Sequence, residues 1–268
     1  MNWFQAIIMA IVEGITEFLP ISSTGHMVLT ASFLGIEKNE FTKLFIENIQ
    51  FGTIISVIVI YWRKFFNFKK LSFYYKLFVA FLPAAIVGVL FKKHIDKILE
   101  SPMFIASVML IGGVILLFVD DWFKKPTIET EEKLTYKNSF IIGLFQILSV
   151  LFPGLSRSAA TIVGGMQQKM TRQAAAEFSF FLAVPTLAGA FALSLWDAYK
   201  HSPGLLTGRN IEMLSLGNII GFLVAIFAIK VFISFLQKHG FRLFGWYRIV
   251  VGLVLIILLL MGVNLSVV

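Results

Sequence analysis

The chain has 268 residues, 58% of them apolar and only 14% charged, with 29 Phe and a mean hydropathy of +0.86. Soluble domains run about 45–50% apolar and roughly 25% charged, so disorder and a cytosolic enzyme are excluded and an integral membrane protein is expected. The formal charge of +8 reads as cytoplasmic-side anchoring charge, not as a nucleic-acid footprint, and the lack of Cys removes disulfides, Cys zinc sites and thiolate nucleophiles.

In chain order, the opening Met-Asn-Trp-Phe-Gln-Ala has no basic region, so no cleaved signal is expected. An apolar stretch at about 3–34 follows, broken midway by Pro20-Ile21-Ser22-Ser23-Thr24-Gly25-His26. Apolar segments at about 49–62, 77–91 and 103–119 come next. A second broken stretch, about 138–166, is interrupted by Pro153-Gly154-Leu155-Ser156-Arg157-Ser158, and segments at about 177–196, 214–236 and 246–263 complete the chain. Several segments fall short of the ~20 residues a spanning helix needs, and flanking residues are expected to complete them. The two broken stretches read as re-entrant hairpins, because non-helical backbone at membrane depth survives only against protein or a water-filled cavity. Two ordinary kinked helices are the alternative.

Loop charge orients this map. The loops 63–76, 120–137, 167–176 and 237–245 carry 13 Lys and Arg, against 7 in 35–48, 92–102 and 197–215. The first set is therefore expected to be cytoplasmic, with both termini outside.

The two halves resemble each other. Laying Pro20 on Pro153 brings Glu13 to Gln146, Thr16 to Ser149, Ser23 to Ser156 and Thr24 to Arg157. Downstream, Phe104 to Leu116 resembles Phe244 to Ile256, with Gly112 over Gly252, and Glu47 opens one span much as Glu177 opens another. Three spans per half is an odd number, so the second half inserts upside down. The expected fold is an all-α polytopic membrane protein, a single membrane domain over 1–268. It has two inverted-topology repeats (about 1–122 and about 136–268), each a re-entrant broken hairpin plus three transmembrane helices. Such proteins place their sites where broken helices meet near the midplane.

Glu13 and Glu17 are four residues apart and share a helical face. Two acids at membrane depth must share a proton, bind a cation or meet a cationic partner, although one of them could cap a backbone gap. After Pro20, Ser22, Ser23 and Thr24 can cap a restarting helix, whose free N–H groups suit phosphate. His26 is a candidate proton donor or nucleophile, or a hydrogen-bonded packing residue. Arg157, deep in an apolar stretch, needs an anion. Its planar fork suits a phosphate or carboxylate, and a structural ion pair to Glu13 or Glu17 is compatible with that role. Ser156 and Ser158 can cap the second helix and add hydroxyl donors. An anion pocket with a cation-binding option inside a membrane suggests a phosphorylated lipid. Arg157 and the helix N-termini would neutralise the transferring phosphoryl group, and Ser23, His26 or an activated water would attack it.

These motifs resemble the undecaprenyl-diphosphate phosphatase, or bacitracin-resistance, family. Glu13 through His26 is similar to its Glu-rich motif and Pro153 through Ser158 to its Pro-Gly-x-Ser-Arg-Ser motif. The stretches Ile49-Gln50-Phe51-Gly52 and Glu177 through Pro185 are similar too, so the likeness covers nearly the whole chain. Ala159 departs from it, standing where the family often has Gly. The resemblance implies a multi-pass enzyme of the bacterial plasma membrane, its active site opening to the outer side. It would hydrolyse undecaprenyl diphosphate to the monophosphate and inorganic phosphate, recycling the lipid carrier for cell-wall synthesis and conferring bacitracin resistance.

It also implies roles. Glu13 and Glu17 would support a metal or the nucleophile, Ser23 and His26 would be catalytic, and Arg157 would clamp the diphosphate. Ser22, Thr24, Ser156, Ser158 and Gln50 would bind substrate. The implied cofactor is a divalent cation, Mg2+ or Ca2+, held by Glu13 and Glu17 with substrate oxygens. The implied partners are the polyprenyl diphosphate and membrane lipids, without nucleic acid and with a homodimer left open. A type-2 phosphatidic-acid phosphatase would need His and Asp soon after Ser-Arg, but the next His here is His201; no P-loop occurs either. A lipid or small-anion transporter or flippase using the same site is the alternative from a different class.

Overall fold

A computed structural model of the protein describes residues 1–92, 95, 98 and 101–265. Lys93 and Lys97, counted above in an outer loop, lie outside the described residues. The described residues are almost wholly helical, with one isolated bridge between Ile128 and Met170.

The helices are α1 (Trp3–Thr16), α2 (Ser23–Phe33), α3 (Glu40–Ile60), the single turn α4 (Trp62–Phe65), α5 (Leu71–Leu90) and α6 (Pro102–Trp122). They continue with α7 (Tyr136–Leu151), α8 (Arg157–Gln167), α9 (Arg172–His201), α10 (Gly208–His239) and α11 (Arg242–Leu260). Six of them, α3, α5, α6, α9, α10 and α11, are long and apolar enough to cross a membrane.

Most expected spans begin too late. Helix α3 starts at Glu40, not near 49, α5 at 71, α9 at 172 and α10 at 208. Polar first turns do not stop a helix whose end is capped. The Asn39 side chain caps α3, Thr171 caps α9 and Thr207 caps α10. Glu47 therefore lies inside α3, and Glu177 a turn inside α9; neither opens its helix.

The broken stretches are hairpins. At ~1.5 Å per residue, α1 is about 21 Å long, α2 about 16 Å, α7 about 24 Å and α8 about 16 Å, each short of a ~30 Å hydrocarbon core. The arms of each pair lie side by side. The Gln5 side chain at the start of α1 donates to the Leu34 carbonyl after α2 (3.0 Å), and Asn138 at the start of α7 donates to Gln168 after α8 (2.8 Å). A kinked through-going helix would hold these ends far apart, so both stretches turn back on themselves.

Packing follows a paired scheme. Helix α6 lies along α11 and α3 against α9; α1 packs on α10, and α7 packs on α5. The largest buried cluster includes Phe18, Phe178, Phe180, Phe181 and Phe232; Phe18 of the first turn meets Phe180 of α9 edge-on, and Phe181 packs on Phe65 and Phe73. Large apolar side chains such as Phe78, Ile86, Phe118, Phe227, Val250 and Ile257 point outward on the long helices. Over such an extent this is a lipid-facing surface, since soluble monomers rarely expose apolar patches beyond a few hundred Å².

Candidate active site

The two hairpin tips meet inside the bundle. Helix α1 ends at Thr16 with Glu17 as its C-cap. The chain passes Pro20, and Ser22 takes a positive φ of 70° while its side chain accepts the Gly25 N–H, starting α2 at Ser23. On the other tip α7 ends at Leu151, Gly154 turns the chain at φ +98°, and Ser156 (φ 73°) accepts the Ala159 N–H, starting α8 at Arg157. A Cβ on Gly154 would lie 2.4 Å from the Ile105 carbonyl oxygen, so close approach as well as conformation selects glycine there.

The caps correct the repeat alignment by one residue. Ser22, not Ser23, occupies the place of Ser156, so Ser23 corresponds to Arg157 and Thr24 to Ser158. Pro153 lies three residues before its cap and Pro20 only two, and the additional residue falls around Gly154. Ala159 costs nothing in this arrangement, because it lies in the first turn of α8 while the positive φ angles fall on Gly154 and Ser156.

The first helical residue of each returning helix reaches one carboxylate. Ser23 donates its hydroxyl to Glu17 Oε2 at 2.7 Å, and Arg157 Nη2 donates to Glu17 Oε1 at 3.0 Å. The pair is buried, with side-chain exposures of 10% for Arg157 and 5% for Glu17, so the contact is shielded from bulk water. Arg157 also donates through Nη1 to the Ser179 carbonyl on α9 (3.1 Å) and lies over the Phe18 ring, 6.0 Å from its centroid. Its Nε is buried and has no hydrogen-bond partner among the described residues. Glu13, one turn before Glu17, is fully buried, and neither of its oxygens has a hydrogen-bond partner among the described residues.

The other expected site residues are placed differently. Ser158 is buried and spans the two tips: its hydroxyl donates to the Leu19 carbonyl (2.8 Å) and lies 2.9 Å from Ser156 Oγ. The Ser22, Ser156 and Ser158 hydroxyls are thus engaged in holding the turns. Thr24 is half-buried and its hydroxyl has no hydrogen bond among the described residues. Gln50, half-buried on α3, accepts the Thr53 hydroxyl at its carbonyl, and no hydrogen bond ties its side chain to Glu17 or Arg157.

His26 sets its Nδ1 2.7 Å from the Ser22 carbonyl and its Nε2 2.8 Å from the Tyr247 hydroxyl, with the two rings stacked at 5.5 Å. A carbonyl only accepts, so Nδ1 carries a proton. Nothing among the described residues hydrogen-bonds His26 to the Glu17 carboxylate.

Three further residues shape the site. Ser179 holds Arg157 through its carbonyl and meets Thr161 through its hydroxyl at 2.6 Å. Tyr247 and Arg248, neighbours on α11, reach His26 and the backbone of both tips. Arg248 carried a sequence signal, a permanent charge inside an apolar segment, the same signal that marks Arg157.

These features define a class: an α-helical multi-pass membrane protein whose buried acid–guanidinium site is assembled from two re-entrant hairpins. The family described as "Bacitracin resistance protein BacA" matches residues 6–254. The chain belongs to that family. It is 55% identical over 258 residues to a protein named "Undecaprenyl-diphosphatase" of Flavobacterium psychrophilum, covering 96% of each chain. It is 52% identical over 259 residues to one of that name from Flavobacterium johnsoniae, again 96% of each. A third, from Porphyromonas gingivalis, is 47% identical over 283 residues and the match covers both chains completely.

Proposed function

We infer that the protein is an undecaprenyl-diphosphatase: it hydrolyses undecaprenyl diphosphate to undecaprenyl phosphate and inorganic phosphate, recycling the lipid carrier of cell-wall synthesis and conferring bacitracin resistance. The observation that carries the mechanism is the convergence of Ser23 and Arg157, from separate tips, on the Glu17 carboxylate.

Arg157 supplies the anion contact. Its unpartnered Nε offers a donor to a phosphate oxygen while Nη1 and Nη2 stay fixed by Ser179 and Glu17, so the fork needs little reorganisation when charge develops. Glu17 acts as general base toward Ser23, the hydroxyl already at hydrogen-bond distance. As Ser23 Oγ bonds to the terminal phosphorus, its proton passes to Glu17. The bond from that phosphorus to the bridging oxygen breaks, and undecaprenyl phosphate leaves. Water then attacks the phosphoserine, the Oγ–P bond breaks, and Glu17 returns the proton it holds to Ser23 Oγ; both water protons leave on inorganic phosphate as dihydrogen phosphate, and Glu17 is again a free carboxylate. His26, held by Ser22 and Tyr247, supports the first turn of α2.

A divalent cation fits in part. Glu13 presents two buried, unpartnered oxygens, the chemistry a hard cation seeks. No group of three or more His, Cys, Asp or Glu gathers among the described residues, so waters and diphosphate oxygens would complete the shell beside Glu13 and Glu17. Bound there, the ion would neutralise diphosphate charge.

The proposed setting is the bacterial plasma membrane, with the Lys- and Arg-rich loops cytoplasmic, the site opening outward and two inverted-topology repeats. The exchange of partners supports the repeat: α1 packs on the second span of the second half, and α7 on the second span of the first.

Two experiments test this reading. Detergent-purified protein should release phosphate from undecaprenyl diphosphate without any membrane; a transporter or flippase would release none. Rapid quench and mass spectrometry should find phosphate on Ser23, and phosphate on His26 instead would overturn the assignment. For orientation, a thiol reagent applied outside intact cells should not label a Lys70→Cys variant.

A further inference from the structure

Arg248 is fully buried, and no acid pairs with it among the described residues. Its partners are carbonyls. Nε donates to Met109 (3.1 Å), Nη1 to Leu155 (2.7 Å) and Pro20 (3.3 Å), and Nη2 to Gly154 (2.9 Å). Three of these four acceptors lie in the broken turns, one in the first and two in the second. There the helices have ended and their carbonyls lack helical partners, and at membrane depth such groups need partners from the protein or a water-filled cavity. One planar fork satisfies both turns at once.

The surroundings are cut to fit it. A Cβ on Gly112 of α6 would stand 2.3 Å from Nη2, and one on Gly113 would stand 2.9 Å from Arg248 Cβ. Both glycines clear the slot through which the side chain runs from α11 to the tips. The preceding residue, Tyr247, bonds His26 Nε2 at 2.8 Å, so one stretch of α11 grips the returning helix of the first hairpin and the backbone of both.

We propose that Arg248 is a positioning residue: it ties the two broken turns together, and that tie sets Ser23 and Arg157 on the same carboxylate. The separation that matters is between the turns. Among the described residues Ser158 to Leu19 is the one direct hydrogen bond between them outside the Glu17 pair, and a hydroxyl holds less firmly than a four-bond guanidinium. Arg157 keeps its own anchor, the Ser179 carbonyl on α9, so loosening Arg248 disturbs alignment more than diphosphate capture.

The inference rests on the diphosphatase reading and is tested on the whole protein in detergent with undecaprenyl diphosphate. In monodisperse Arg248→Ala, kcat should fall about 10- to 100-fold, the cost of misplacing reacting groups by about 1 Å, while KM changes less than threefold. Arg248→Lys should recover only part of the loss, since an ammonium cannot reach four carbonyls in one plane. Guanidinium ion added at a non-denaturing concentration should raise kcat of Arg248→Ala and leave the wild type unchanged. Gly112→Ala, which keeps Arg248 but displaces its fork, should lower kcat in the same way.

A folded Arg248→Ala with wild-type kcat would overturn the proposal, as would a variant whose KM rises at constant kcat. If the Arg248 variants do not fold, Gly112→Ala decides: reduced kcat with retained KM supports the tie, and wild-type kcat removes it. A wild-type protein that releases no phosphate would sink the diphosphatase reading instead.

Discussion

In the first hairpin the chain leaves α1 at Glu17, passes Pro20 and re-enters a helix at Ser23 behind the Ser22 cap. In the second it leaves α7 at Leu151, turns at Gly154 and re-enters at Arg157 behind the Ser156 cap. The caps match in angle (φ 70° and 73°) and in the N–H they accept, three residues on. The side chains they deliver do not match: a hydroxyl from one turn, a guanidinium from the other. The buried residues one turn upstream of the break differ as well. Glu13 has no hydrogen-bond partner among the described residues, whereas its counterpart Gln146 meets Thr186 on α9 at 3.2 Å. A shared backbone device thus brings two helix starts to one point, and the asymmetry of side chains sets a hydroxyl and a guanidinium on one carboxylate there. In the proposed mechanism one hairpin carries base and nucleophile, the other the charge that draws the substrate.

The sharpest way to break the comparison is to remove the contact between the halves. Glu17→Ala and Arg157→Ala should each lower kcat/KM about 10³-fold or more, since each removes a preorganised charge from a buried site. The double variant should lose little beyond either single one, because the residues act as a unit. Arg157→Lys should also fail, and full activity in it would count against the fork. Stability of the single variants, read by denaturation in mixed micelles, should drop by about 3–5 kcal/mol, the cost of stranding one partner of a buried ion pair.

Next comes the upstream position. Glu13→Gln makes the first hairpin resemble the second there. It should weaken Mn2+ binding measured by paramagnetic resonance and lower kcat/KM about tenfold or more, with no loss of stability because an unpartnered carboxyl is removed. Unchanged Mn2+ affinity would take Glu13 out of any cation site. The caps themselves should matter less. Ser22→Ala and Ser156→Ala should each cost about 1 kcal/mol, and a much larger loss for one would show that the turns are not equivalent.

The smallest effect belongs to the loop pair Lys70–Glu132, a 2.5 Å contact exposed on both sides. The direct hydrogen bond from Lys70, and then its charge, hold the Glu132 carboxyl below its usual range. Whatever the pair contributes is therefore present at neutral pH and is lost as pH falls through that lowered value or rises through the raised one of Lys70, held up by the same hydrogen bond. Glu132→Gln should leave activity unchanged between about pH 6 and 9, as expected of an exposed ion pair.

Much of this was legible from residue types. Glu13, Glu17 and Arg157 stand out because charge in an apolar stretch must have a partner, and Pro20 and Pro153 mark where the helices stop. The likeness of the halves located both hairpins but missed their register by one residue: proline was the visible landmark, while the cap that fixes the helix start depends on a backbone angle. The spans were read short because hydropathy sees the lipid-facing centre, not capped polar turns such as that after Asn39. The company of His26 in sequence makes it a catalytic candidate or a packing residue; its ring partners, Ser22 and Tyr247, 221 residues away, are visible only in the structure. Arg248 carried the right signal, but its partners are backbone carbonyls, which every residue has and no sequence pattern reveals.

By itself, then, the sequence determined the solvent, the number of long apolar helices, the two interruptions and the acids and guanidinium that need one another, because burial of charge is costly wherever it occurs. Only the tertiary structure decided which atoms meet. It paired Glu17 and left Glu13 without a hydrogen bond among the described residues, put Ser23 beside the Glu17 carboxylate, turned His26 toward α11, and closed both turns on Arg248. Those outcomes depend on helix starts and crossings that bring distant backbone to within about 3 Å, a distance scale at which hydrogen bonds form or fail.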